Sequence, residues 1–182
     1  MTAGTPITSA FFDRPTLPVT RELLGKLLCR RINEKTLRFR ITEAEAYDGP
    51  DDKACHAHRG KTARNEVMFG PAGRWYVYLC YGMHWMLNAV TGSVDYPAAV
   101  LLRGCVEAEG PGRLTKALGV DRHLDRSSIA RSTGLWVESD GFDVPDAQVH
   151  RTPRIGIGYA GAEWIDKPYR FVWKRKTKPE TK

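Results

Sequence analysis

The stretch RWYVYLCYGMHWMLN, residues 74–88, concentrates aromatic side chains in an otherwise polar chain. Five rings fall within eleven residues, at Trp75, Tyr76, Tyr78, Tyr81 and Trp85. As a strand, its first half places apolar side chains on both faces, a pattern typical of a strand buried on both sides. Tyr81 differs because it precedes Gly82, where such a strand turns back, and a turn lies at the surface. The stretch therefore predicts a buried aromatic strand that runs into an exposed turn.

The segments around this strand have the patterns of further regular structure. Residues 17–32, LPVTRELLGKLLCRRI, predict a helix behind a candidate N-cap, Thr20, from four leucines at helical spacing: Leu23, Leu24, Leu27 and Leu28. Residues 36–50, TLRFRITEAEAYDGP, alternate apolar and charged side chains and end in Asp-Gly-Pro, which predicts a strand and a turn. Further strands are predicted over residues 98–108, 154–161 and 168–174, and a helix over residues 110–120. Because strands and helices do not alternate regularly, an α+β fold with a curved, mostly antiparallel sheet and flanking helices is favoured over a doubly wound sheet.

Length and charge restrict the domain organisation and the class of partner. A chain of 182 residues predicts one domain over residues 1–182, with flexible ends at 1–12 and at the basic segment 174–182. The formal net charge of +7 favours a polyanionic partner over a neutral sugar. The first residues do not resemble a secretory signal, and no apolar run approaches eighteen residues. We therefore expect no membrane partner, no secretion, and a cytoplasmic location in a bacterial nucleoid, or a nuclear one in a eukaryote.

Cysteines and histidines offer little support for a metal site. Cys29, Cys55, Cys80 and Cys105 are spaced about twenty-five residues apart, which suits reduced thiols and matches no paired metal motif. The motif CHAH, residues 55–58, follows Asp51 and Asp52 and contains types of side chain that bind zinc. Its spacing is a poor match to known sites, and histidines that hydrogen-bond within their own loop are the favoured alternative. We predict no metal and no cofactor.

Two acidic residues on the predicted strand are candidates for catalysis. Glu43 and Glu45 are two residues apart, so their side chains share a face and lie roughly 6.6 Å apart along the chain. This separation suits the acid and base of an inverting glycoside hydrolase. An exposed polar face on an edge strand is the simpler explanation. Tyr47 on the same face, and His56 in the long aperiodic segment 51–73, favour a functional site.

Five segments together resemble a known family. They are EAEAYDGPDDKACHAHRGKTARN, MFGPAGRWYVYLCYGMHWMLN, VLLR, GPGRLTKALG and RIGIGYAG, and they occur in this order over nearly the whole chain. They resemble the signature segments of the alkyladenine (3-methyladenine) DNA glycosylases. The resemblance implies a protruding β-hairpin that inserts into DNA, and an enzyme that flips damaged purines out of double-stranded DNA to hydrolyse the N-glycosidic bond.

The resemblance also assigns roles to individual residues. Tyr81 would enter the minor groove and fill the space that the flipped nucleotide leaves. The base would stack between Tyr47 on one side and His56 with Tyr78 on the other, and Asn88 would exclude normal guanine.

For the reaction, the resemblance implies that Glu45 is the general base for a water held by Arg103 and the Ile155 carbonyl. No lysine matches an attacking position, so no lyase step is expected. The resemblance also implies contacts to the DNA backbone, from Met83, Gly112, Arg113, Lys116 and Gly156. The GPGRLTKALG segment is equally an ordinary helix start.

We expect the protein to act as a monomer. Two alternatives remain at this point: an inverting glycoside hydrolase that uses Glu43 and Glu45, and a noncatalytic single-stranded nucleic-acid binder that uses the rings as a stacking platform.

Overall fold

One long strand, β3, connects the two parts of the sheet in the computed structural model, which describes residues 4–175. The first half of β3 (Lys35–Asp48) pairs with β2 (Leu27–Ile32). Its second half pairs with β6 (Ala98–Cys105) along one edge and with β10 (Arg170–Trp173) along the other. The register of β3 against β6 shifts between Ile41 and Ala44, as at a β-bulge. Bulges bend a strand and occur often beside active sites, and here the irregularity immediately precedes Glu45.

Every strand pairing in the described part of the chain is antiparallel. The main path through the sheet has the order β1-β8-β2-β3-β6-β5-β4, while β10 joins β3 to β9 and β7 pairs with β6. The remaining strands are β1 (Thr5–Pro6), β4 (Trp75–Cys80), β5 (His84–Val90), β7 (Ala108–Glu109), β8 (Leu135–Ser139) and β9 (Val149–Thr152). This architecture confirms the predicted α+β fold.

Short helices cover the sheet. They are α1 (Ser9–Phe12), α2 (Thr16–Leu23), α3 (Pro111–Ala117) and α4 (Ala162–Ile165), with 3₁₀ turns at Glu66–Phe69, Arg122–Leu124, Arg131–Thr133, Asp146–Gln148 and Gly158–Ala160. The helix predicted after Gly110 is confirmed as α3, which begins with Pro111 at its first turn. None of the helices in residues 4–175 is long and apolar enough to cross a membrane.

Two groups of buried side chains flank the aromatic strand. The larger group includes Phe12, Leu23, Trp75 and Leu102. A smaller group, which includes Met68 and Tyr76, brings the 51–73 loop against β4, β5 and β6. The aromatic strand predicted from the sequence is therefore confirmed as β4, and its two faces contribute to different hydrophobic groups.

The structure corrects the predicted helix over residues 17–32. The helix begins at Thr16, follows Pro15 rather than a Thr20 cap, and ends at Leu23. Gly25 then adopts a left-handed φ of 84°, and the chain continues as strand β2. All four leucines are buried. Their spacing is compatible with one continuous helix and equally with a short helix, a turn and a strand that is buried on both faces.

Two further expectations differ from the structure. Residues 154–161 form a loop with one 3₁₀ turn rather than a strand, with Gly156 at a φ of 78°. The N-terminal segment expected to be flexible includes β1, which pairs with β8, and α1, in which Phe12 is fully buried. Residues 1–3 and 176–182 lie outside the described residues. The second range contains most of the C-terminal end that the sequence predicts to be flexible.

Candidate active site

Glu45 is the buried carboxylate of the site. Its side chain is fully buried, with Oε1 accepting a hydrogen bond from the Ile155 backbone N–H at 2.9 Å and Oε2 accepting one from the Tyr47 hydroxyl at 3.0 Å. Burial raises the pKa of Glu45, and this effect outweighs the lowering by Arg103, the Ile155 N–H and the Tyr47 hydroxyl. A carboxylate whose pKa is shifted towards neutrality is better suited to accept a proton.

Glu43, two residues earlier, has different surroundings. Its Oε1 accepts hydrogen bonds from Arg103 Nε at 2.8 Å and from Arg170 Nε at 2.7 Å. Arg103 Nε also lies 3.4 Å from Glu45 Oε1, so one guanidinium connects both carboxylates. Because two arginines already bind Glu43, it is poorly placed to donate a proton as the acid of an inverting hydrolase. The predicted shared face is confirmed, but the two carboxylates are not equivalent.

An aromatic pocket adjoins Glu45 through Tyr47. Tyr47, His56 and Tyr78, which the sequence analysis grouped as base-stacking residues, all line it. The ring centroids of His56 and Tyr78 are 4.6 Å apart, and those of Tyr76 and Tyr78 are 5.2 Å apart. The structure therefore brings the three predicted rings together around one cavity, with Tyr76 as a fourth.

The His56 ring is neutral at physiological pH. Its Nδ1 lies 2.8 Å from the Tyr76 hydroxyl, and desolvation followed by the charge of Arg64 lowers its pKa to about 4. The residue as a whole is exposed, and its ring lines the pocket. The Arg64 guanidinium lies 4.8 Å from the centroid of the Tyr78 ring. His56 thus contributes an uncharged imidazole to the pocket wall, and the positively charged Arg64 lies beside the Tyr78 ring.

Asn88 lies in the pocket wall with a fixed orientation. It pairs with Tyr76 across β4 and β5, and its Nδ2 donates to the Tyr76 carbonyl at 3.0 Å. Since a carbonyl can only accept, this bond settles which end of the amide is the donor. The buried amide is therefore held rigidly at the edge of the cavity.

The turn between β4 and β5 exposes two large side chains. Tyr81 is 88% exposed and Met83 is 70% exposed. Tyr81 has a left-handed φ of 50°, a conformation that a bulky residue rarely adopts. The predicted surface turn is confirmed. Tyr81 also borders a wide cleft that runs past Arg103, Ile155 and Gly156 to the aromatic pocket.

The other predicted backbone contacts lie on α3. A Cβ at Gly112 would come within 2.9 Å of His84 Cγ, so the start of α3 packs against the turn end of the hairpin. Lys116 and Arg113 are both exposed. These residues thus flank the hairpin rather than the pocket.

The CHAH residues have partners within their own part of the fold. Asp52 binds Arg154, His58 Nδ1 lies 2.9 Å from the Pro50 carbonyl, and the Cys55 thiol lies 3.9 Å from the Pro97 carbonyl. His58 therefore fits the interpretation that the histidines of this motif hydrogen-bond within their own loop. The four cysteines are free thiols.

Sequence reasoning missed several residues of the site. Tyr159 lines the pocket and donates from its hydroxyl to the Ala54 carbonyl at 3.1 Å, and Met68 and Ala99 complete the wall. The RIGIGYAG segment contains Tyr159 and Arg154, but only Ile155 and Gly156 were taken from it. The single signal that could have drawn attention to Tyr159 is an aromatic residue within a glycine-rich loop.

Comparisons with known proteins agree with this geometry. The pattern of the methylpurine-DNA glycosylase family matches residues 10–109 and 106–177. Three similar proteins bear the name "Putative 3-methyladenine DNA glycosylase". The one from Methanocella arvoryzae is 45% identical over 90% of each chain, and the one from Myxococcus xanthus is 45% identical over 95% of this chain and 92% of its own. The Streptomyces avermitilis protein is 42% identical over 94% and 95%.

A buried carboxylate beside an aromatic pocket, together with these similarities, defines an enzyme of the DNA glycosylase class. The chain belongs to the methylpurine-DNA glycosylase family. The resemblance noted from its sequence segments is thereby confirmed.

Proposed function

We propose that this protein removes alkylated or deaminated purines from double-stranded DNA by flipping the damaged nucleotide and hydrolysing its N-glycosidic bond. The observation that carries the proposal is the contact between Glu45 and Tyr47, because it joins a buried carboxylate to a ring of the aromatic pocket. Base recognition and hydrolysis then take place a few ångströms apart.

Stacking selects the base. Tyr47 contacts one face of the flipped purine, and His56 with Tyr78 contacts the other. An electron-poor alkylated purine stacks well on electron-rich rings, and a neutral His56 adds no repulsion against a cationic base. Asn88 excludes undamaged guanine because its fixed amide crowds the exocyclic amine.

Glu45 activates the water. A water placed by Glu45, Arg103 and the Ile155 carbonyl attacks C1′ and gives a proton to the carboxylate, forming the new C–O bond as the glycosidic C–N bond breaks. The electrons of the broken bond leave with the purine. A cationic methylated purine accepts these electrons most readily. The buried negative charge of Glu45 also stabilises the oxocarbenium-like transition state.

The hairpin keeps the nucleotide extruded. Tyr81 enters the minor groove and occupies the space of the flipped nucleotide, which offsets part of an unstacking cost of a few kcal/mol. The strained φ of Tyr81 supports this role, since backbone strain of this kind concentrates at functional sites. The DNA backbone around Tyr81 is contacted by Met83, Gly112, Arg113, Lys116 and Gly156.

The enzyme is monofunctional. Lys53 borders the wider cleft but not the base pocket, and no lysine contacts Glu45 within residues 4–175. We propose that it acts as a monomer and without a cofactor.

Release of free base tests the proposal. Duplexes that each carry one 7-methylguanine, ethenoadenine or hypoxanthine are incubated with the wild-type protein and with Glu45→Gln. We expect the wild type to release base, and the variant to bind lesion DNA while losing roughly 10² to 10⁴-fold in rate. Borohydride should trap no covalent complex. Binding of single-stranded DNA without base release would instead favour the noncatalytic alternative, and an active Glu45→Gln would exclude Glu45 as the base.

A further inference from the structure

A fully buried ion pair lies behind the pocket and takes no part in the proposed chemistry. The side chains of Asp52 and Arg154 are both completely buried. Arg154 Nη1 donates to Asp52 Oδ2 at 2.5 Å and Nη2 donates to Oδ1 at 2.8 Å, so the pair is bidentate. Buried ion pairs contribute little net stability compared with apolar residues of similar size, because both charges lose their hydration. The location of this pair therefore calls for another explanation.

Arg154 contacts the strand that carries the general base. Its Nη1 also donates to the Ala46 carbonyl at 2.7 Å, and Ala46 separates Glu45 from Tyr47 along β3. The guanidinium carbon lies 4.8 Å from the centroid of the Tyr47 ring. One side chain thus supports both the strand position between the two functional residues and the ring of one of them.

The residue after Arg154 contacts Glu45 directly. The Ile155 N–H donates to Glu45 Oε1 at 2.9 Å, so the position of Arg154 sets the position of that donor. Asp52 in turn accepts the backbone N–H groups of Asp48 at 3.1 Å and Ala54 at 3.0 Å. The pair therefore connects the end of β3, the start of the 51–73 loop and the loop after β9.

We propose that Arg154 and Asp52 are positioning residues that hold Glu45 and Tyr47 in the geometry needed for base hydrolysis. This inference rests on the proposed function. Neither residue lines the aromatic pocket or the wider cleft. They act through the Ile155 N–H, the Ala46 carbonyl and the Tyr47 ring, and a misplacement of about 1 Å at such a site costs on the order of 100-fold in rate.

Arg154→Lys tests the inference, because lysine keeps the charge but cannot form the bidentate pair and the Ala46 bond together. Single-turnover excision at saturating enzyme, lesion-duplex affinity and melting temperature are measured on the same preparation. The matched control is Arg38→Lys, which weakens another ion pair with a fully buried carboxylate, Glu138, away from the pocket. We expect Arg154→Lys to lose roughly 10- to 100-fold in excision rate with its affinity within threefold, and Arg38→Lys to stay within twofold in rate.

Other outcomes overturn the inference. An Arg154→Lys rate within twofold of the wild type, or a rate loss no larger than that of Arg38→Lys at equal loss of melting temperature, would mean a purely structural pair. If Arg154→Lys does not fold, Asp52→Glu gives the same decision, because it keeps both charges and moves the carboxylate by one methylene. A wild type that releases no base would overturn the proposed function on which this inference rests, and the wild-type rate alone distinguishes that outcome from the ones above.

Discussion

Replacing Tyr81 with glycine should separate stability from activity. The ring is 88% exposed, so its removal uncovers little buried surface. Its left-handed φ of 50° costs about 1–2 kcal/mol for a non-glycine residue, and glycine relieves that strain. The greater freedom of glycine in the unfolded chain returns about 0.4–1 kcal/mol. We therefore expect the melting temperature to stay constant or rise by up to about 6 °C.

The matched control is Tyr76→Ala on the same hairpin. Tyr76 is 2% exposed, and truncation of a buried aromatic residue costs about 3–5 kcal/mol. The control should therefore lower the melting temperature by roughly 6–20 °C. It establishes that the thermal assay can detect the loss of a buried ring from this hairpin.

The excision rate of Tyr81→Gly should fall even though its melting temperature does not. If the ring offsets about 1.4 kcal/mol of unstacking, its loss lowers the single-turnover rate about tenfold on a lesion opposite its normal partner. A mismatched lesion is cheaper to extrude and should lose less. A large fall in melting temperature, together with equal rate losses on paired and mismatched lesions, would refute the wedge and make Tyr81 a structural residue.

Other perturbations probe the remaining parts of the site. Glu43→Gln should cost about tenfold or less in excision rate, because it only loosens Arg103, and a loss as large as that of Glu45→Gln would contradict the assigned roles. In the folded protein the pKa of His56 is lowered to about 4, so the free energy of unfolding falls as the pH drops from 6.5 towards 4. His56→Gln should remove this part of the pH dependence of stability. Melting temperatures of both proteins across this pH range measure the difference. Asn88→Gly should permit detectable release of undamaged guanine, which chromatography of the free bases would reveal. Affinity for duplex DNA should decrease with salt by a log–log slope of about −0.9 for each phosphate contact, and a flat titration would exclude the predicted backbone contacts.

Local patterns in the sequence predict the strands better than the helices of this fold. Alternation at Leu37, Phe39 and Ile41 and the apolar run at 98–105 correspond to β3 and β6 because side-chain direction follows backbone period directly. The pattern fails at Gly25, where a helix ends and a strand begins and the leucines on both sides are buried. Periodicity carries no information where every apolar position is buried.

The supports of the site are less accessible to sequence reasoning than the site itself. The resemblance of the segments pointed to Glu45, Tyr47 and Tyr81, which lie in recognisable local motifs. Arg154 and Asp52 are 102 residues apart, and Tyr159 reaches the Ala54 carbonyl across 105 residues. Such contacts depend on how the loops close over the sheet, and no local spacing encodes that.

Glu43 and Glu45 illustrate the distinction most clearly. They are the same amino acid on the same strand face, and spacing alone suggests two equivalent carboxylates. Their difference comes from neighbouring segments: β6 and β10 bring Arg103 and Arg170 to Glu43, whereas the loop after β9 brings the Ile155 N–H to Glu45. One carboxylate is held between two cations while the other is buried with a raised pKa. A pair that spacing would assign to acid and base is thereby divided into a structural anchor and a candidate base, and this division favours hydrolysis by one activated water.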